Sequence, residues 1–461
     1  MFDLGIENGV VVSPDGSRRM NVYIRDERIA AVTSTREPAA VSHDAQGLFV
    51  MPGMIDTHVH FMDPGAPERE DFPSGSAAAA RAGVTTVIEH THARPVRTVD
   101  DLKSKRDYLN DRSYVDFALA AHAWPGVDQD LGALWREGAA FFKAFTCATH
   151  GLPAHDAGAL RRLFRALAEI DAVCLVHCED DALTRASELE LRADGREDGA
   201  IVGEWRNAEA ELIALGAAVV LARDSTATVV AAHVSSPPAV DLVARARREG
   251  ATVAVETCPQ YLSLLAGEAE SELGFRKFTP PARATSQQEL DAMWRRVADG
   301  SVQLVSSDHA PATRAQKTEG SIWDVHFGLP GIDTTLAVLL DGARQGRLTY
   351  ERLVELYAEA PARQYGFYPM KGCIAPGSDA DVTLVDPDHA WKVTDEEILS
   401  RAGWSPFAER TLHGRAVATF LRGREIMAEQ QVIGVPGYGQ FLPGAGGRSE
   451  SVTGARLLYW Q

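Results

Sequence analysis

Eight short apolar runs, each followed by a longer stretch of helical period, constrain the fold of this chain more than any other feature. The runs are MIDTHVH, TTVIEH, DFALAAHA, AAFFKAF, AVCLVHC, TVVAAHV, TVAVETC and LVSSDH, beginning near residues 54, 85, 116, 139, 172, 228, 252 and 304. Between them lie segments such as ALRRLFRALAEI and PPAVDLVARARREG, whose apolar residues recur at helical spacing. Strands alternating with helices imply a parallel sheet with right-handed crossovers, and eight repeats favour closure into a barrel. A chain of 461 residues also has room for a second unit. The flanks supply it: DLGIENGVVV, MNVYIRDERIAAV and HDAQGLFVMPG at the start, GSDADVTLVDP and GRAVATFLRGREIM near the end, all strand-like and punctuated by Gly and Asp. The expected architecture is α/β: a (β/α)8 TIM barrel over residues 52–371 and a small β-sandwich domain from 1–51 and 372–461.

Charge and cysteine usage narrow the class of partner. With 46 basic and 64 acidic residues the net charge is −18, which argues against a nucleic-acid or anionic-membrane surface. Five scattered cysteines without a CxxC pair suit a reducing compartment. No apolar run is long enough to span a membrane, and the first residues do not read as a signal peptide. The expected location is the cytoplasm.

The chemistry sits at the ends of the apolar runs. His58 and His60 end the first, Lys143 lies in the fourth, His177 ends the fifth, His233 the sixth and Asp308 the eighth. In a barrel of this kind the carboxyl ends of the strands share one face, so these six residues would meet at one mouth. Imidazole and carboxylate are ligands for zinc and related ions. His58 and His60 are two apart and so point to one side of a strand. An ammonium cannot ligate a cation, so Lys143 is either no ligand or a lysine converted to an anionic carbamate. Taken singly, a strand-end histidine is more often a hydrogen-bonded residue, and a lysine can snorkel to solvent. The joint pattern is what points to a metal site.

That order, with the stretches MPGMIDTHVHFMDPG (51–65), GSAAAARAGVTTVIE (75–89), FFKAF (141–145), LVHCED (175–180), HVSSP (233–237), ETCPQYL (256–262), SSDHAP (306–311), GLPGIDT (328–334) and KGCIAPGSDADVTLVDP (371–387), resembles the cyclic amidohydrolases: hydantoinases, dihydropyrimidinases, allantoinases and dihydroorotases. The resemblance implies two divalent ions, zinc by default with cobalt, manganese, nickel or iron acceptable. His58, His60 and Asp308 would hold the more buried ion, and His177 and His233 the other. Lys143, carboxylated by CO2, would bridge them. Asp308 would serve as catalytic base and then acid in opening a cyclic amide or ureide. Backbone groups near Thr279 and Pro330 would hold the imide edge, Pro330 only through its carbonyl because it has no N–H. A homotetramer or dimer is implied, with QVIGVPGYGQFLPG (431–444) a possible contact.

Three departures bear on the substrate. Met62 stands where dihydroorotases carry an arginine for the substrate carboxylate. Ala148 stands where D-hydantoinases and dihydropyrimidinases carry a tyrosine. The segment WSPFAERTLHGRAVATFLRG (404–423) and Asp63-Pro64-Gly65 are similar to allantoinases. Allantoin is therefore the expected substrate, with hydantoins or dihydropyrimidines the alternative. A non-catalytic scaffold would be expected to lack some of the six residues, and a one-metal deaminase would not need Lys143. His90, His92 and His122, at the ends of the second and third runs, are not usual in these relatives and either face the pocket or belong to loops.

Overall fold

Each of the eight runs forms a strand in the computed structural model, which describes residues 1–448. We label them β1 (Met54–Val59), β2 (Val84–Glu89), β3 (Asp116–Leu119, resumed at Ala121–His122), β4 (Phe142–Phe145), β5 (Val173–His177), β6 (Thr228–Ala231), β7 (Val253–Thr257) and β8 (Leu304–Val305). Neighbours pair in parallel from β1 through to β8. A parallel bridge between Val59 and His309 closes the ring. The amide of His60 donates to the carbonyl of His309 at 2.7 Å and that of His309 to the carbonyl of His58 at 3.2 Å, so closure occurs among residues of the mouth. The intervening helices start cleanly. Asp71, Thr98, Asp156, Asp180 and Asn207 each accept the amide of the residue three further on, satisfying a donor that the first turn leaves free.

Side chains alternate across every strand, and the alternation decides what reaches the mouth. Ile88, Ala118, Ala120, Phe141, Val173, Leu175, Val230, Ala254 and Leu304 pack together inside the barrel. Their neighbours Val87, Phe117, Leu119, Phe142, Cys174, Val229, Val253 and Val305 pack outward under the helices. Continuing the inward parity along each strand carries His90, His122, Lys143, His177 and Glu256 to the interior. In β1 the parity switches: Met54 and Val59 share the outer layer although they are five apart, and Ile55 is inside. The pairing register with β2 slips between Asp56 and Val59. Such an irregularity re-aims side chains, and here it turns His58 and His60 inward.

The terminal segments meet as two sheets. One has the order Arg28–Thr33, Asn21–Arg25, Phe2–Glu7, Ala39–Asp44. The other runs Gln431–Val432, Arg424–Ala428, Thr411–Leu421, Val382–Lys392, Phe49–Pro52, Val10–Ser13, Gly16–Arg19. Val382–Lys392 pairs antiparallel with Phe49–Pro52, joining the two ends of the chain, and Ile6, Val22, Ile24, Val50, Leu384 and Phe420 fill the space between. The segment 431–444 docks in part on its own barrel. The amide of Gly439 donates to Ser113, that of Phe117 to Gln440 and that of Leu442 to Phe117.

One buried ionic cluster ties the barrel to the sandwich. Lys371 Nζ lies 2.6 Å from Asp116, at the start of β3, 2.6 Å from Asp381 and 2.9 Å from Asp379. Arg422 adds a second cation on Asp116. Removing one member strands the remaining charges without water. Lys371→Ala is expected to cost about 3–5 kcal/mol, read as a lower denaturation midpoint; an unchanged midpoint would show that the cluster carries no such weight.

Candidate metal centre

The structure brings the six sequence-predicted residues into one buried group. His58, Lys143, His177 and His233 are each at most 3% exposed, and Asp308, the most open, is 14% exposed at its side chain. His58 Nε2 lies 3.2 Å and His60 Nε2 3.6 Å from Asp308 Oδ1, so three donor atoms converge. On the other side, His177 Nδ1 and His233 Nε2 approach to 2.9 Å. Lys143 Nζ sits 3.4 Å from His58 Nε2, and the rings of His58 and His233 are 5.4 Å apart, which brings the two sets together. His233 (φ 38°) and Asp308 (φ 48°) are both held in the left-handed backbone region, which costs a non-glycine residue roughly 1–2 kcal/mol. Both lie just past the end of a strand, where that twist redirects the side chain; strain of this kind clusters at functional sites.

Carboxylates behind the histidines fix which nitrogen faces the mouth. Glu256, at the end of β7, accepts from His58 Nδ1 at 2.6 Å and from the backbone amide of His233 at 3.3 Å. The carbonyl of His90 accepts from His60 Nδ1 at 3.1 Å. Both rings therefore present Nε2 forward. Glu179 accepts from His177 Nε2 at 2.8 Å, leaving Nδ1 to face His233. The same carboxylate takes Thr279 Oγ1 at 2.7 Å and Arg206 at 3.3 Å. Below them Asp56 accepts from Tyr357 at 2.7 Å and from the amide of Ser307 at 3.1 Å, anchoring the β1–β8 seam.

Dryness sets the charge states. Burial, reinforced by the Lys143 cation, holds His58 and His60 well below the usual imidazole range, so both are neutral with free lone pairs. Burial lowers the Lys143 amine to about 8, against the pull of Glu256 and Asp308. Among the described residues no carboxylate forms a salt bridge with it. Burial likewise raises Asp308 and Glu256 to about 7 each. Glu179 goes the other way: burial alone would raise it, but Arg206, His177 and Thr279 outweigh that and hold it at about 2. The result is a set of neutral imidazoles beside an amine and two carboxyls whose protonation changes near neutrality.

Comparison with known proteins fits this geometry. The amidohydrolase family model matches residues 49–426. The chain belongs to the amidohydrolase family. It is 36% identical over 452 residues to an allantoinase of Rubrobacter xylanophilus, covering 96% of this chain and 97% of the relative. It is 32% identical over 451 residues to an L-hydantoinase of Paenarthrobacter aurescens, covering 96% and 98%. A dihydroorotase of Halobacterium salinarum is 35% identical over 404 residues, covering 86% and 90%. Among solved structures, the L-hydantoinase from Arthrobacter aurescens superposes with a TM-score of 0.92 at 32% identity, covering 96% of this chain and 100% of that one. The protein is a cyclic-amide hydrolase of that family, whose members are generally binuclear metal enzymes.

The donor set of this amidohydrolase fits such a centre. His233 Nδ1 is buried without a hydrogen-bond partner, and two nitrogens facing each other at 2.9 Å are what a cation would join. Two other groups of ligand-type residues serve otherwise. Asp116, Asp379 and Asp381 are already neutralised by Lys371 and Arg422. Cys147 and Glu179 face the Arg206 guanidinium, and burial pushes the Cys147 thiol up to about 12.

Met62 is fully buried, and Thr91 donates to its sulfur at 3.2 Å. Thr279 spends its hydroxyl on Glu179. Pro330 follows Leu329, which pairs with His309 beside Asp308. Phe327 reaches the mouth through His150, at 5.9 Å, which stacks at 4.4 Å on His92, itself 5.4 Å from His60. Trp323 packs on Trp205 at 5.1 Å, and His326 is exposed. Sequence reasoning missed Glu256, Glu179, Arg206 and His150. The first two carried a signal: Glu256 ends an apolar run, and Glu179 is two residues after His177. Glu256→Ala is expected to lower metal affinity roughly 10–100-fold by freeing the His58 ring, measured by chelator competition; undiminished affinity would remove Glu256 from this role.

Proposed function

We propose that this amidohydrolase opens the hydantoin ring of allantoin to give allantoate at two divalent ions. His58, His60 and Asp308 would hold one, His177 and His233 the other, and a carbamate formed on Lys143 would link them. The convergence of these six residues carries the reading. Lys143 supports it in chemical detail. Only a free amine attacks CO2, forming the N–C bond and releasing a proton, and a dry lysine with a pKa near 8 supplies free amine near neutrality. Zinc is the proposed ion, since nitrogen and carboxylate donors suit it, as they do cobalt, manganese, nickel and iron. The ions would supply Lewis acidity and a water of lowered pKa.

The chain's own groups would then act around the ring. Asp308 Oδ1 lies among the donor nitrogens and takes the proton of the attacking water as its oxygen bonds to the ring carbonyl. The same carboxyl delivers that proton to the ring nitrogen as the C–N bond breaks, leaving one open-chain molecule with a ureide and a carboxylic acid, which then gives its remaining proton to solvent. Glu256 and Glu179 keep the imidazoles oriented throughout. Backbone groups near Thr279 and the carbonyl of Pro330 would hold the ureide edge, with Met62 beneath the mouth.

The choice of allantoin is supported by Met62 and Ala148. Met62 offers no cation to a substrate carboxylate, and Ala148 offers no hydroxyl; its amide is tied to Asp181 at 2.7 Å. The allantoinase likeness, at 36% identity, points the same way. A second reading, a hydantoinase or dihydropyrimidinase, is supported by the likeness to the L-hydantoinase structure. We propose with this a cytoplasmic homo-oligomer, dimeric or tetrameric, divided at 1–51 and 372–461 against 52–371. The described residues contain no helix long and apolar enough to cross a membrane.

Two expected outcomes follow from the assignment. With metal-loaded protein, ring opening of allantoin should outpace that of 5,6-dihydrouracil and dihydroorotate, and a reversed ranking would defeat the allantoin reading. Asp308→Asn and Lys143→Ala should each lower kcat by at least roughly 10³-fold. Full turnover in either variant would contradict the roles given to them.

A further inference from the structure

The geometry points to His90 as a further ligand to the ion that His58 and His60 hold, an assignment that rests on the binuclear reading above. His90 follows the last residue of β2 and continues the inward parity of Ile88. Its ring centre is 4.4 Å from that of His58 and 4.5 Å from that of His60. One ring nitrogen from each of the three lies within 4.8 Å of the other two.

What separates His90 from ordinary packing is the state of its polar atoms. His58 and His60 each commit Nδ1 to an acceptor and keep Nε2 for the mouth. His90 commits neither nitrogen: both are buried without a hydrogen-bond partner. Behind the ring stands Phe141, edge-on at 5.3 Å, which offers no acceptor. If the residue only filled space, Met or Leu would fill it without two stranded nitrogens, which proteins rarely tolerate. A cation on one nitrogen satisfies it and fixes the proton on the other. The same residue already orients its neighbour, because its carbonyl accepts from His60 Nδ1. The more buried ion would then have three imidazoles beside Asp308, and it would not depend on Lys143 to stay in place.

The test is equilibrium binding of cobalt or zinc to the full chain, with the visible absorption of cobalt reporting the ligand set. Wild type should hold two ions per chain and Lys143→Ala close to one. Adding His90→Met to Lys143→Ala should weaken that remaining ion by more than the roughly 10–100-fold that loss of an orienting partner costs. His90→Met alone should change the cobalt spectrum and shrink the metal-induced rise in Tm, while the metal-free protein melts no lower. His90→Gln serves if the methionine variant does not fold. An unchanged spectrum and unchanged affinity on replacing His90, or a Lys143→Ala protein that holds no ion, would overturn the inference and leave the binuclear reading standing. A wild-type chain that binds no ion would overturn both.

Discussion

The site depends on keeping a group of nitrogen and oxygen donors dry. Burial withdraws the water that would otherwise stabilise the charged forms of the imidazoles, of the Lys143 amine and of the Asp308 carboxyl. It leaves neutral histidines, an amine at about 8 and a carboxyl at about 7 within a few ångströms of one another. Without ions such an arrangement is unfavourable, because its polar atoms have too few partners. Divalent cations would resolve that, drawing protons off Asp308 and its neighbours while filling the space between the ring nitrogens.

The barrel makes this arrangement affordable in structural terms. Strands deliver side chains at a period of two, so continuing the inward parity is enough to bring His90, Lys143, His177 and Glu256 to the interior near the strand ends. Helix caps and the outer apolar layer hold the strands, and the Lys371 cluster holds the barrel floor to the sandwich. His58 and His60 share in this through their backbones, which bond to His309 where the ring closes. Backbone strain at His233 and Asp308, where the chain twists left-handed to aim a side chain, adds a further cost.

Much of this was legible in the residues alone. The eight apolar runs are the eight strands, because fully buried parallel strands must be continuously apolar and turn residues must bound them. The six donors stood out because histidine, lysine and aspartate recur at or near the carboxyl ends of those runs. What could not be read is geometric. The parity switch between Asp56 and Val59 is a backbone irregularity with no residue signature, although it decides that His58 and His60 face inward. Arg206 comes from the end of a helix far from the strands and meets Glu179 only through tertiary packing. Docking of Gly439–Leu442 on β3 uses main-chain groups, which side-chain patterns do not announce. Substrate choice was legible only by comparison, through Met62 and Ala148.

The central claim concerns the chemical form of one side chain and what lies around it. A crystal structure of metal-loaded protein, with diffraction recorded at the absorption edge of the bound metal, tests it directly. Two anomalous peaks flanked by the five histidine and aspartate donors are expected, with density for three extra atoms continuing from Lys143 Nζ between them. A bare amine at Lys143, with one peak or none in the mouth, would contradict it.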